Sequence, residues 1–301
     1  MKAIVVREYG GPEVLKWEDY PDPVPGRGEV LVRVAAASVN PIDDKRRAGL
    51  TKDFYPIHFP GLIGIDMSGT VVKVGSGVET FTAGNRVFAM ADNTYAELCV
   101  VKADVLADVP EGLDLLQAAA LPLVTTTGNQ LMSATGVTAA QTVFVIGAAG
   151  SVGRSAVFTA KSRGATVIAG VLKRQIDDAK TVGADQYVAT DDDAAIANLP
   201  LLDVVADAVG GRAAEKLMAK IKPGGVFASV IKTPQNAADY PSVKAMFVFS
   251  KFDRETLEFM AEAVRDGKLV IPISLKLPLS EAAKAQATVE KGGVGKVLLV
   301  P

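Results

Sequence analysis

A β-branched run at Thr142–Ile146 leads directly into Gly147-Ala148-Ala149-Gly150-Ser151-Val152-Gly153 and then into a helix-like stretch at 152–163. A glycine turn between a strand and a helix is often only a connection, but it is also where a dinucleotide is held. In the dinucleotide fingerprint the glycines permit a tight turn, close approach of the backbone to a pyrophosphate and close helix–strand packing. The free amides of the helix start then hold the phosphates. Ala148 replaces the first glycine of the usual pattern, so the surrounding sequence has to support the reading. It does: further β-branched runs at Thr166–Val171, Gln186–Ala189, 202–209 and 226–231 alternate with helix-like stretches at 174–182, 193–199 and 212–221. Continuously apolar strands separated by helices predict a parallel sheet covered on both faces.

The rest of the 301-residue chain has a different rhythm. Short alternating runs at 29–34, 69–74, 85–90 and 95–101 lie between glycine and proline turns, which predicts an antiparallel, barrel-like unit. A helix-like stretch at Arg254–Arg265, the segment 268–277 and a closing strand at Lys296–Val300 resemble that first part again. The predicted division is therefore 1–116 with 252–301 for one domain and 117–251 for the other, the second inserted into the first. Two domains also agree with a prior of about 150 residues per domain.

Composition narrows the function. With 32 basic and 34 acidic residues the net charge is −2, and no basic stripe of the kind nucleic-acid binders carry is present. One cysteine, Cys99, and one histidine, His58, leave no intrachain disulfide, no four-cysteine zinc knot and no His-rich metal site. No run reaches the ~18 apolar residues of a membrane span. The expectation is a soluble chain in a reducing compartment, the cytoplasm by default, with neither nucleic acid nor membrane as partner.

The end of the second strand of a dinucleotide fold usually carries an acid for the ribose 2′-hydroxyl of NAD. Here Leu172-Lys173-Arg174 follows, with no acid along the chain until Asp177. Basic residues at that point suit a 2′-phosphate and hence NADP(H); the competing reading is a solvated helix start.

Taken in order, several segments carry a resemblance. They are Gly10-Gly11-Pro12-Glu13-Val14-Leu15, Ser38-Val39-Asn40-Pro41-Ile42-Asp43, the stretch 60–69, Gly84-Asn85-Arg86-Val87 and Tyr95-Ala96-Glu97. Ala118-Ala119-Ala120-Leu121-Pro122 with Thr127, the glycine turn, Gly183-Ala184-Asp185, Asp207-Ala208-Val209-Gly210-Gly211 and Gly295-Lys296-Val297 complete the set. The chain resembles the medium-chain dehydrogenase/reductase superfamily, within it the zinc-free quinone and enone reductase branch. The resemblance implies an α/β fold: a Rossmann doubly wound parallel sheet of about six strands inserted into a GroES-like antiparallel β-barrel domain. Zinc-dependent members carry a Cys near the Asn40–Asp43 region and Gly-His-Glu where this chain has Gly64-Ile65-Asp66, so no metal is expected. Many zinc-free members carry a Tyr after Asn-Pro; this chain has Asp43-Asp44-Lys45-Arg46-Arg47, more similar to plant-type alkenal reductases.

What the resemblance implies for the site is as follows. Asn40 and Thr127 line the nicotinamide pocket, and Lys45 stabilises developing enolate charge or relays a proton, unless it is simply surface charge. Gly150, Ser151, Val152 and Gly153 meet the phosphates, while Lys173, Arg174 and Thr190 lie by the adenine ribose. Ala208, Val209, Gly210 and Ile231 flank the cofactor from later strand ends, and Gly295 and Lys296 contribute from the terminal motif. His58 reads as a surface or internally satisfied histidine, with a substrate-pocket contact or a general acid as alternatives, Cys99 as a small core residue, and Thr125-Thr126-Thr127 as a helix start or cofactor contact. The implied activity is NADPH-dependent reduction of a quinone, enone or enal. The alternatives are a reductase of another activated alkene and a non-catalytic NADPH-binding redox sensor. An apolar run at 246–249 is the expected sheet edge for a homodimer.

Overall fold

The runs at Thr142–Ile146 and Thr166–Val171 are adjacent parallel strands in the computed structural model, which describes residues 1–293 and 295–301. They belong to a six-stranded sheet whose spatial order is Gln186–Ala189, Thr166–Val171, Thr142–Ile146, Leu202–Asp207, Ile221–Ser229, Lys244–Phe247, all neighbours parallel. Counted along the chain this is the order 3-2-1-4-5-6 of a doubly wound dinucleotide fold. Alternate residues explain why the strands read as unbroken apolar runs. Val143, Val145, Val167 and Ala169 face a core with Leu131, Met132, Ala156 and Val157. Phe144, Ile146, Ile168 and Val205 face a second core with Ile196, Ala214 and Leu217. Both faces are buried, so no polar alternation survives.

This unit comprises Val124–Lys251 with Asp266–Val270; the other comprises Met1–Leu123, Phe252–Arg265 and Ile271–Pro301. The helix Leu115–Ala119 lies with the latter, and the Ser68 hydroxyl donates to the Leu115 carbonyl. That unit is built on a seven-stranded sheet, ordered Ile273–Pro278, Lys296–Val300, Glu29–Val39, Asp66–Val74, Arg86–Met90, Ala107–Asp108, with Leu98–Lys102 also paired to Glu29–Val39. A three-stranded sheet of Lys16–Asp19, Lys2–Val6 and Gly61–Leu62 accompanies it. The long central strand serves two cores. Val30, Val32 and Val34 pack with Met67, Val71 and Val87, while Ala37 and Val39 pack with Val297, Leu299 and Leu277. A register shift between Val34 and Ala36 separates the two sets, as a bulge re-aims the side chains that follow it.

Three differences from the sequence reading matter for the site. Asn40 opens a helix at Pro41–Arg47 that no apolar periodicity announces. A second unannounced helix, Ala282–Glu290, packs against it. The stretch 174–182 is not one helix: Ile176–Ala179 is flanked by 3-10 turns at Lys173–Gln175 and Lys180–Val182, with Ala179 the one fully buried side chain. A helix with so little apolar surface to bury gains too little from packing to persist. Among the described residues no helix is long and apolar enough to cross a membrane.

Candidate functional site

The glycine turn leaves the first strand at Gly147, whose φ of +77° belongs to the left-handed region, and where an added Cβ would fall 2.3 Å from Val209 Cγ2. The amides of Gly147 and Ala148 donate to the Gly170 carbonyl at 2.9 and 3.1 Å, tying the turn to the second strand. Gly150 is the N-cap of the helix Ser151–Ser162, with extended backbone, no side-chain cap and no acid in the first turn. The start of a helix leaves its first amides without intrahelical partners and carries partial positive charge. An open N-terminus behind a glycine turn therefore fits a pyrophosphate. Gly153 lets the helix approach the turn: a Cβ there would lie 2.1 Å from the Gly147 carbonyl oxygen. Arg154, buried, donates from Nε to the Ala149 carbonyl at 2.9 Å and clamps the turn from behind. The sequence reading passed over this arginine, which sits in the helix like any polar residue.

The carboxyl ends of the fourth and fifth strands are organised by one buried acid. Asp207 Oδ1 accepts from the amides of Val209 and Gly210 at 2.9 and 2.7 Å, and Oδ2 accepts from the Ser229 hydroxyl at 2.7 Å. Ser229 Oγ in turn accepts from the Ile231 amide at 3.0 Å. Ala208, Val209, Gly210 and Ile231 thus sit at strand ends, with Val209 and Ile231 exposed. Asp207 and Ser229 were not singled out from the sequence, although Asp207 opens one of the quoted motifs.

At the end of the second strand Lys173 and Arg174 are exposed. Thr190 donates from its amide and its hydroxyl to the Val171 carbonyl, at 2.8 and 3.2 Å. Along the chain no acid lies between Lys173 and Asp177, but pairing of the second and third strands changes what Lys173 meets. The neighbouring strand brings Asp191 beside it, and Asp191 Oδ1 accepts from the Lys173 amide at 2.8 Å. Thr127 is nearly buried in the helix Pro122–Thr135, and that helix packs so closely at Gly128 that a Cβ would lie 2.5 Å from Ser155 Cβ.

Within the other unit, Asn40 belongs to a buried polar cluster. Its Oδ1 accepts from Lys296 Nζ at 2.7 Å, and its Nδ2 donates to Asp66 Oδ2 at 2.9 Å and to the Ser38 carbonyl at 3.3 Å. Both amide hydrogens are thus committed inside the protein. Asp66 also accepts from the Ser38 hydroxyl and the Leu123 amide, and lies 3.8 Å from Lys296 Nζ. Asp43 Oδ2 accepts from the Asn40 amide at 2.9 Å and from the Tyr95 hydroxyl at 3.0 Å. Burial raises Asp43 to about 7 and Asp44 to about 8, raises Asp66, and lowers Lys296 against the pull of Asp66 and Asp43. On the same helix Arg47 is buried against Gln286, Glu290 and the Gly10 carbonyl, and Arg46 stacks on Tyr55 and pairs with Asp92. Lys45 is exposed and outside the cluster. Gly295 donates its amide to Ser274 Oγ, and a Cβ there would lie 2.6 Å from the Pro272 carbonyl oxygen, so Gly295 allows close strand packing.

The donor set does not fit a catalytic zinc. Such a site needs three side-chain ligands with neutral imidazole, thiolate or carboxylate character. Asp66 is taken up by four hydrogen-bond donors or cations, and burial pushes the Cys99 thiol up to about 12. His58 is exposed and lines a pocket of about 380 Å³ with Arg46, Asp92 and Asn93. Among the described residues no group of three His, Cys, Asp or Glu is placed to hold a metal.

Two family models match the chain. Residues 26–111 match the alcohol dehydrogenase GroES-like domain, and residues 182–299 match the zinc-binding dehydrogenase family. The whole chain aligns with 98% of a chloroplast envelope quinone oxidoreductase homolog of Arabidopsis thaliana at 30% identity. It also aligns with 80% of a chloroplastic NADPH-dependent alkenal/one oxidoreductase from that plant at 31% identity. Its fold superposes on the mycobacterial protein Rv1454c complexed with NADPH, with a TM-score of 0.86 and 29% identity over the full length of both chains. With the 3-2-1-4-5-6 sheet, the glycine turn and relatives that span its whole length, the chain belongs to the medium-chain dehydrogenase/reductase superfamily, in its quinone and enone oxidoreductase branch.

Proposed function

We propose that this protein is an NADPH-dependent reductase of quinones or α,β-unsaturated carbonyl compounds. The observation that carries the reading is the open helix start at Ser151–Gly153 behind the Gly147–Gly150 turn, at the carboxyl edge of a doubly wound sheet. The residues there fit the cofactor: backbone amides for the pyrophosphate, and Lys173 and Arg174 for a 2′-phosphate. When bound, the nicotinamide supplies a hydride to the β-carbon of an enone, and a proton must then reach the α-carbon. The protein's part is to position the substrate and to stabilise charge developing on its carbonyl oxygen. Lys45 is assigned that second task, because on its helix it is the one long cation that is exposed; Arg46 and Arg47 are buried and paired. Asn40 has both amide hydrogens engaged and is assigned to hold the polar cluster rather than to donate to substrate.

NADPH absorbance measured with a short enone, an ortho-quinone and, in reverse with NADP⁺, a primary alcohol tests the reading. Consumption is expected with the first two and little turnover of the alcohol, which needs a Lewis acid to acidify its hydroxyl. Chelator in the assay should change nothing. Lys45→Ala should lower kcat about 10-fold or more with little change in KM for NADPH, as expected for a group acting on developing charge. Alcohol oxidation faster than enone reduction would overturn the proposal, and a Lys45→Ala enzyme equal to wild type would return Lys45 to the surface.

A homodimer is part of the same proposal. Lys244–Phe247 is an edge strand, paired on one side to Ile221–Ser229, and Phe247 is exposed. An apolar edge is a liability unless another strand covers it, and a twofold copy would do so. Light scattering at micromolar concentration should give twice the chain mass; a clean monomer refutes this part.

A further inference from the structure

We propose that Asp191 is a specificity-determining residue that holds the preference for NADPH over NADH below what Lys173 and Arg174 alone would give; the inference rests on the cofactor reading above. The second and third strands are tied together at their carboxyl ends by Thr190, which donates twice to the Val171 carbonyl, and by Asp191, which accepts from the Lys173 amide. The turn that carries the two basic residues is closed by Gln175, whose amide donates to the Leu172 carbonyl and whose Oε1 accepts from the Leu172 amide. Asp191 is thus the side chain from the neighbouring strand that braces this turn, at the edge where doubly wound sheets bind the adenine ribose.

Its two acidic neighbours are otherwise occupied. Asp192 caps the helix Asp193–Ala197 by accepting from the Ala194 and Ala195 amides, and Asp193 pairs with Arg212 and Lys216. Asp177, on the far side of the turn, pairs with Lys180. Asp191 is left with an amide partner and no cation, while Lys173 and Arg174 have no carboxylate partner among the described residues. A 2′-phosphate drawn to the two basic side chains therefore meets an uncompensated carboxylate that the neighbouring strand brings against their turn. A ribose 2′-hydroxyl at that point instead finds an acceptor, as it does on the acid of NAD-binding folds. One residue opposes one cofactor and assists the other.

The test compares wild type with Asp191→Asn, Asp191→Ala and Arg174→Ala, reading equilibrium binding of NADPH and NADH by protein fluorescence and the ratio of their kcat/KM values. Asparagine keeps an oxygen to accept from the Lys173 amide and removes only the charge. Asp191→Asn should raise the NADPH-to-NADH ratio about three- to tenfold at low ionic strength, and the gain should shrink as salt is added. Asp191→Ala loses the brace as well, so its NADPH affinity should fall below that of Asp191→Asn. Arg174→Ala should lower the ratio about tenfold or more. An Asp191→Asn ratio that stays put or falls overturns the inference while leaving the cofactor reading intact. If wild type binds neither dinucleotide, the cofactor reading itself fails, and this inference with it.

Discussion

Replacing Lys296 by Met should cost about 3–5 kcal/mol of stability, the range for removing one partner of a buried ion pair, out of the 5–15 kcal/mol typical of a folded domain. Lys296 Nζ is the buried cation facing Asp66, and it also lowers the pKa of Asp43. Without it, two carboxylates sit beside one another with only neutral donors for company. The loss should therefore depend on pH, with a definite sign. A carboxylate whose folded pKa lies above its unfolded value binds its proton more tightly in the folded state. Its stabilisation is then greatest below about 4 and declines as pH rises toward the folded pKa. For Asp43 that decline runs up to about 7 in the wild type; in Lys296→Met it should extend further, because the attraction that held Asp43 and Asp66 down is gone. Urea unfolding should show a larger deficit at pH 8 than at pH 5. Adding Asp66→Asn should restore part of it, since the residues are in contact and their effects do not add. A Lys296→Met protein as stable as wild type at pH 8 would mean that the cluster carries no net charge coupling.

Physical reasons separate what could be read along the chain from what could not. Thr142–Ile146 and Thr166–Val171 were legible to the residue because apolar runs rich in β-branched residues suit a strand buried on both faces. The glycine turn was legible because its spacing and its place between strand and helix are dictated by backbone sterics. Pro41–Arg47 was not. Its buried face is made of Asp43, Asp44, Arg46 and Arg47, so the usual apolar stripe is missing. The available clue was Asn40 followed by Pro41 and, three positions after the cap, Asp43, the spacing of a capping box with proline at the first helical position. Ala282–Glu290 was hidden for a related reason: the side it buries consists of Ala282, Ala285 and Gln286. The contact of Lys296 with Asn40 and Asp66 joins strands far apart in the chain, which pattern reading cannot pair. Asp191 shows the same gap on a shorter scale. Along the chain Lys173 has no acid before Asp177, but strand pairing delivers one from the next β–α unit.

Gly153→Ala should cost both folding stability and cofactor affinity, whereas Gly150→Ala should cost mainly affinity. A Cβ at Gly153 would lie 2.1 Å from the Gly147 carbonyl oxygen and 2.7 Å from Ala148 Cα, both backbone atoms that cannot rotate away. The helix Ser151–Ser162 must then shift off the turn, and Ala156, Val157 and Ala160, which it contributes to the core, shift with it. Overpacking of this kind costs about 1–3 kcal/mol. Because the shift also moves the amides of Ser151 and Val152, dinucleotide binding should weaken about tenfold or more, one misplaced hydrogen bond to a charged group being worth about 1.5–3 kcal/mol. At Gly150 the added Cβ would meet only the Gly147 carbonyl oxygen, at 3.4 Å, and the backbone there has φ −75° and ψ 163°, which alanine adopts freely. The free protein should therefore accept that methyl with a melting temperature close to wild type. The ligand should not, because Gly150 is the N-cap and its missing side chain is what lets a phosphate reach the helix start. Melting curves and NADPH titrations of the two variants, side by side, check the contrast. Equal loss of stability in both would mean that the turn as a whole, rather than the approach of helix to strand at Gly153, limits packing. Unchanged NADPH affinity in both would mean that the pyrophosphate is held elsewhere.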